Sequence, residues 1–171
     1  GKKIPHDVCI HFEIAADILT DECLSVLSEM PSGSIQLEIG IQSFNAKTLG
    51  AIHRKTSIDK LCDNVKRLVF FGNMHIHTDL IAGLPYEDFD SFRESFNRAF
   101  SLGANMLQLG FLKILHGSPM GEKRDEYPCE YSDKAPYEVI STPWLSKEDI
   151  SLLKTVDAVN DRFSNSGRFC I

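Results

Sequence analysis

The sequence predicts an α/β fold, a partial (β/α) TIM-like barrel with helices on one side of a parallel sheet and a polar interior on the other. Two observations predict it. Four segments alternate apolar and polar side chains at the period of a strand, and each of the first three runs into a segment of helical period, the connection that makes strands parallel. Parallel sheets covered on both faces read as unbroken apolar runs, and these segments do not.

In 7–14, Val8, Ile10, Phe12 and Ile14 oppose Cys9, His11 and Glu13; in 35–42, Ile35, Leu37, Ile39 and Ile41 oppose Gln36, Glu38, Gly40 and Gln42. In 75–82, Ile76, Thr78, Leu80 and Ala82 oppose His75, His77 and Asp79, and in 106–111, Leu107, Leu109 and Phe111 oppose Met106, Gln108 and Gly110. Ordinary barrels fill their interiors with branched apolar residues. Here the inward set is Glu, Gln, His, Asp and Gly, which implies a lumen that holds a polar ligand.

Between the strands, each helix has recognisable ends. Thr20 can N-cap a helix to about Met30, stopped by Pro31, Ser32 and Gly33, and Asn45 can cap a short one through Ile52. Ser57 opens a third, whose Leu61, Val65, Leu68 and Val69 recur at helical spacing until Gly72 and Asn73 supply a left-handed end. Segment 88–102 repeats the arrangement with Phe89, Phe92, Phe96 and Phe100, closed by Gly103. From His116 to Pro143 no period is sustained, and the segment reads as irregular surface structure or a lid. A last helix starts at Ser146, carries Glu148 and Asp149 in its first turn, and runs its stripe Ile150, Leu153, Val156 and Val159 to about Phe163.

At 171 residues, 43% hydrophobic and 25% charged, the chain has the composition of a globular protein with one core. Its net charge of −6 argues against a broad nucleic-acid or anionic-membrane surface. With no apolar run near a membrane span and no signal peptide, it reads as cytoplasmic. Five scattered cysteines, Cys9, Cys23, Cys62, Cys129 and Cys170, give neither a disulfide framework nor a cysteine-ligated metal within the chain.

Three strings carry chemistry. In Glu38-Ile39-Gly40-Ile41-Gln42-Ser43, Gly40 removes a side chain from the inward face so that a ligand can approach the backbone, with Gln42 at the mouth; the alternative is a bulge glycine and an exposed amide. In Asp79-Leu80-Ile81-Ala82-Gly83-Leu84-Pro85, followed by Glu87, the strand ends in a turn and Asp79 points inward, suited to a ligand hydroxyl or ammonium. Arg54, in Ile52-His53-Arg54-Lys55, is either a solvated basic loop residue or a bidentate grip on a carboxylate. His75, His77 and Asp79 also alternate on one face, as zinc or iron ligands could. His75 stands at the wrong end of the strand for this, so no metal ligands are assigned.

Read together, Phe12-Glu13, Glu38 to Ser43 with Leu49 and Arg54, Asp79 to Pro85, and Leu107 to Leu115 with Gly117 and Ser118 resemble the radical SAM superfamily over residues 7–120. The order is that of its coproporphyrinogen-oxidase-like, Elongator-like and methylthiotransferase branches. The resemblance implies the last four strands of a six-stranded core (1–120), followed by an irregular segment and a C-terminal helix (121–171). It implies that Glu13, Gln42, Arg54 and Asp79 contact S-adenosylmethionine, Arg54 at the methionine carboxylate and Asp79 at the ribose or amino group. The activity it implies is reductive cleavage of S-adenosylmethionine by a [4Fe-4S] cluster to a 5′-deoxyadenosyl radical that attacks an unknown substrate.

The family's CxxxCxxC loop is absent, and Cys9 and Cys23 have the wrong spacing to replace it. The expectation is a fragment, inactive alone, whose cluster ligands lie in a missing N-terminal part of the same protein. Ala135 to Val139 and Asn165 to Phe169 resemble the segment after the core in radical SAM proteins with an N-terminal cobalamin-binding domain, which suggests cobalamin for the missing part. Two further readings stay open: a metal-dependent barrel hydrolase using His75, His77 and Asp79, and a non-catalytic interaction domain.

Overall fold

The computed structural model describes residues 8–122 and 125–168. The start of the first predicted strand at residue 7, Phe169 of the tail string and Cys170 lie outside the described residues. Strands β1 (Ile10–Ile14), β2 (Ile35–Gln42), β3 (His75–Ala82) and β4 (Met106–Phe111) form one sheet in that spatial order, every pair parallel. The connections are α1 (Asp21–Ser28) between β1 and β2, α2 (Ala46–Ala51) and α3 (Ile58–Phe71) between β2 and β3, and α4 (Phe89–Phe100) between β3 and β4. With helices in all three crossovers and a one-sided polar face, the architecture is a four-stranded partial (β/α) barrel.

The period-2 pattern decides the faces. Ile35, Leu37, Ile39, Ile41, Ile76, Thr78, Leu80 and Ala82 are all buried, packed in one core with Leu24 of α1, Leu61, Val65 and Leu68 of α3, and Phe92 and Ala99 of α4. Burying each large apolar side chain stabilises the fold by roughly 1.5–3 kcal/mol. The first strand differs: Val8 and Phe12, on its apolar face, stay 42% and 46% exposed. Only β2 pairs with β1 among the described residues, and an apolar cleft lined by Phe12, Leu19, Val26 and Leu37 remains open beside it.

The predicted helix ends hold in most places. Thr20 accepts from the Cys23 amide at 3.3 Å, Asn45 from those of Lys47 and Thr48, and Ser146 forms a reciprocal capping box with Asp149. Gly72 ends α3 at φ 66, a conformation that favours glycine. Ser57 opens α3 at its N-cap as expected, although its side chain makes no cap bond and its amide donates to Asp17 Oδ2 at 3.0 Å. Asn73 is a correction, because Gly72 alone holds the left-handed end and the Asn73 amide group serves the end of α1, donating to the carbonyls of Leu27, Ser28 and Met30.

Segment 116–143 contains more structure than its lack of period suggests. A short helix α5 (Pro119–Glu122) precedes an antiparallel pair, β5 (Glu130–Tyr131) and β6 (Val139–Ser141). Val139 is 1% exposed and packs against the Gly83 backbone, where a Cβ would meet Val139 Cγ1 at 2.8 Å. The last helix, α6 (Lys147–Asn160), buries Ile150 and Leu153 but leaves Val159 half exposed, and it ends in a wide turn over Asp161–Asn165. That turn closes the β4 side of the sheet. Leu107 donates its amide to Asn165 Oδ1 at 3.0 Å, and its carbonyl accepts from Asn165 Nδ2 at 2.9 Å and Asn160 Nδ2 at 2.6 Å.

Candidate functional site

The polar face of β1, β2 and β3 lines a cleft of about 290 Å³. Its walls are Glu13, Ile14 and Ala15 from the end of β1, Glu38, Gly40 and Gln42 from β2, Arg54 from the loop after α2, and Asp79 from β3. All four residues expected from sequence to contact one ligand therefore share one cavity.

Parallel register sets their relative heights. Glu13 lies opposite Glu38, Glu38 opposite His77, and Gly40 opposite Asp79. The register then slips by one residue, so that Gln42 rather than Ile41 faces Leu80. This bulge accompanies a left-handed backbone at Gln42, φ 71, rare for a residue with a side chain. Strain of this kind persists where the surroundings hold it and often marks a site. Here the bulge folds the Gln42 amide back over Gly40, where any Cβ would overlap Gln42 Nε2. Gly40 thus makes room for the amide of its neighbour, which any side chain at position 40 would have to push aside.

Arg54 arrives by a second left-handed residue. His53, φ 56, ends α2 and turns the chain so that the guanidinium reaches across the cleft and donates through Nη2 to the Gly40 carbonyl. Its Nε is buried with no hydrogen-bond partner, and so are Gln42 Oε1 and Asp79 Oδ1. Buried polar atoms in native proteins are normally paired. A cationic donor, an amide acceptor and a carboxylate left unsatisfied around one cavity are what a zwitterionic ligand with hydroxyl groups would satisfy. Burial pushes the Asp79 carboxyl up to about 6, opposed by the nearby His77 and reinforced by the Glu38 and Glu13 carboxylates.

The proposed grouping of His75, His77 and Asp79 is corrected. His75 is exposed at the start of β3, and its place is taken by Glu38 of β2, whose ligand atom lies within 4.8 Å of those of His77 and Asp79. Alternation along one strand could not reveal this partner, which depends on the register between two strands. His11, on the same face of β1, pairs with Glu38 at 3.0 Å.

A second group missed from sequence lies behind the site. Glu87, fully buried, accepts from Ser43 Oγ at 2.6 Å and Ser95 Oγ at 3.0 Å, while Ser43 Oγ also accepts from the Asn45 amide at 2.9 Å. Ser95 Oγ accepts from the Phe44 amide at 3.1 Å. This network ties the exit of β2, immediately after Gln42, to α4. Thr48 and Asn45 complete the clamp, donating to the carbonyls of Pro85 and Tyr86 in the turn after β3.

The sheet, its helical crossovers and its polar lumen form a partial (β/α) barrel whose fold is similar to that of solved radical SAM enzymes. A solved structure of coproporphyrinogen III oxidase from Escherichia coli, described as a radical SAM enzyme, superposes with a TM-score of 0.63 at 20% identity, covering 91% of this chain and 32% of that one. The radical SAM methyltransferase TsrM of Kitasatospora setae, with cobalamin and a [4Fe-4S] cluster bound, gives 0.55 at 15% identity, covering 68% and 21%. Among curated sequences, anaerobilin synthase of Escherichia coli O157:H7 is 25% identical over 156 residues, 82% of this chain and 35% of that protein. The chain spans between 22% and 38% of the length of such curated relatives. Residues 125–170 match a family described as a protein of unknown function, DUF4080. No helix among the described residues is long and apolar enough to cross a membrane.

Proposed function

We propose that the lumen face is the S-adenosylmethionine-binding wall of a radical SAM enzyme, with Glu13, Gln42, Arg54 and Asp79 as its contacts. One observation carries the reading: Arg54 Nε, Gln42 Oε1 and Asp79 Oδ1 are buried without hydrogen-bond partners around the cavity that Glu13 and Gly40 also line. S-adenosylmethionine supplies a carboxylate for the first, donors for the other two, and positive charge for the carboxylates. Reductive cleavage of its carbon–sulfur bond is the chemistry it supplies when bound beside an iron–sulfur cluster.

The chain's own part is recognition and orientation. Arg54 grips the methionine carboxylate while its bond to the Gly40 carbonyl fixes the fork. Asp79 holds the ribose or amino group and Gln42 closes the mouth. Among the described residues no set of cysteines gathers at ligand distance, so the cluster is assigned to another part of the protein and no step is routed through these residues. The likeness to a cobalamin-bound methyltransferase supports cobalamin as a further cofactor of that other part.

Titration calorimetry with S-adenosylmethionine tests the reading. Saturable binding is expected, weakened roughly tenfold or more, about 1.4 kcal/mol, by Arg54→Ala and by Asp79→Asn. Equal affinity in both variants and the parent would reject it.

A further inference from the structure

We propose that Glu38, His77 and Asp79 form a binding site for a divalent transition-metal ion on the floor of the lumen. The Glu38–His77 row lies level with Glu13 and one step below Asp79, and the site shares only Asp79 with the proposed S-adenosylmethionine contacts.

Strand geometry alone brings the three together. Glu38 and His77 are register partners on adjacent parallel strands, and Asp79 follows His77 by two residues on the same face. Each offers one ligand atom, and the three atoms lie within 4.8 Å of one another. His77 is only 6% exposed, yet its Nε2 has no hydrogen-bond partner. Asp79 Oδ1 is 3.1 Å away and is equally unpartnered, so the two atoms are close without sharing a proton at a usable angle. Metal bonds of about 2.0–2.2 Å give ligand-to-ligand edges of about 2.8–3.6 Å across octahedral and tetrahedral geometries, a range that includes this separation.

Charge and chemistry agree. Two carboxylates facing one pocket repel unless a cation lies between them, and a dication would balance Glu38 and Asp79. One imidazole with two carboxylates suits manganese, iron, cobalt or zinc; an all-oxygen set would be expected for magnesium or calcium. His11, at 3.0 Å, braces Glu38 from the far side. Glu38 and Asp79 also line the cleft, so the remaining coordination positions would open toward a substrate or water there.

The test is a titration of the full chain with Co²⁺ alone, followed by visible absorption. One equivalent with ligand-field bands and no thiolate-to-cobalt charge transfer is expected, with affinity falling at least about tenfold in His77→Asn and in Glu38→Gln. The variant His75→Asn should bind as the parent does. Circular dichroism checks each variant, and if His77→Asn is unfolded, Glu38→Gln decides. Absence of saturable binding, charge-transfer bands from Cys9 or Cys23, or affinity retained in the folded variants overturns the proposal. S-adenosylmethionine binding is measured separately on cobalt-free protein, so loss of one activity leaves the other readable.

Discussion

Gly40 and Gln42 occupy the same space: the amide of Gln42 lies where the side chain of any other residue at position 40 would begin. The bulge between them and the left-handed backbone of Gln42 make this overlap possible. Gly40→Ala should therefore displace the Gln42 amide, while Arg54 Nη2, 3.6 Å from the added carbon, stays in ordinary contact. We expect S-adenosylmethionine affinity to fall at least about tenfold with an unchanged circular dichroism spectrum, read by calorimetry.

Glu87 gives a pH dependence. Burial raises its carboxyl above the ordinary value of 4.5, and the hydroxyls of Ser43 and Ser95 only partly oppose this. The native state then holds a proton that the unfolded chain releases first, so this group favours folding at low pH. Its contribution is lost as pH rises from about 4.5 through the raised native value. Glu87→Gln keeps an acceptor for both serines and removes the charge. The melting temperature of the variant should exceed that of the parent at neutral pH, with the gap closing on acidification; parallel profiles would refute the assignment.

Asn165 makes two bonds to the Leu107 backbone, and its removal leaves the Leu107 amide without a partner. Asn165→Ala should cost about 1–3 kcal/mol. Leu152→Ala, half exposed on α6, should stay within about 0.5 kcal/mol. Urea unfolding compares the two.

Phe92 is fully buried between α4 and the sheet. Phe92→Ala should cost about 3–5 kcal/mol, seen as a lower urea midpoint.

Period-2 alternation is local, so the faces of β2 and β3 were legible from residue identity, and with them the shared orientation of Glu38, Gly40, Gln42 and Asp79. Glu13 shared the polar face of 7–14 by the same alternation, whereas Arg54 joined that set only through motif order. What depended on register was hidden: Glu38 opposite His77 needs two strands aligned, and the same alphabet would fit a slip of two residues. The β5–β6 pair escaped because two- and three-residue strands carry no measurable period. Ser57 was legible as the start of α3, but the acceptor of its amide, Asp17 forty residues earlier, was not. Val159 fits the helical stripe by spacing but lies past the point where α6 leaves the core.

The two sides of the sheet are unequal. Asn160 and Asn165 occupy the Leu107 backbone on the outer side of β4, and Tyr137 and Val139 take up the backbone of Ile114 and Leu112 beyond it. On the other side, β1 pairs with no strand but β2 among the described residues, and an uncovered apolar cleft lies beside it. Strand addition is thus directional: the sheet can lengthen past β1 and is stoppered at β4. A probe peptide able to add as a strand should protect β1 amides from hydrogen exchange and leave those of β4 unaffected, which makes the first strand the growing end of this half-barrel.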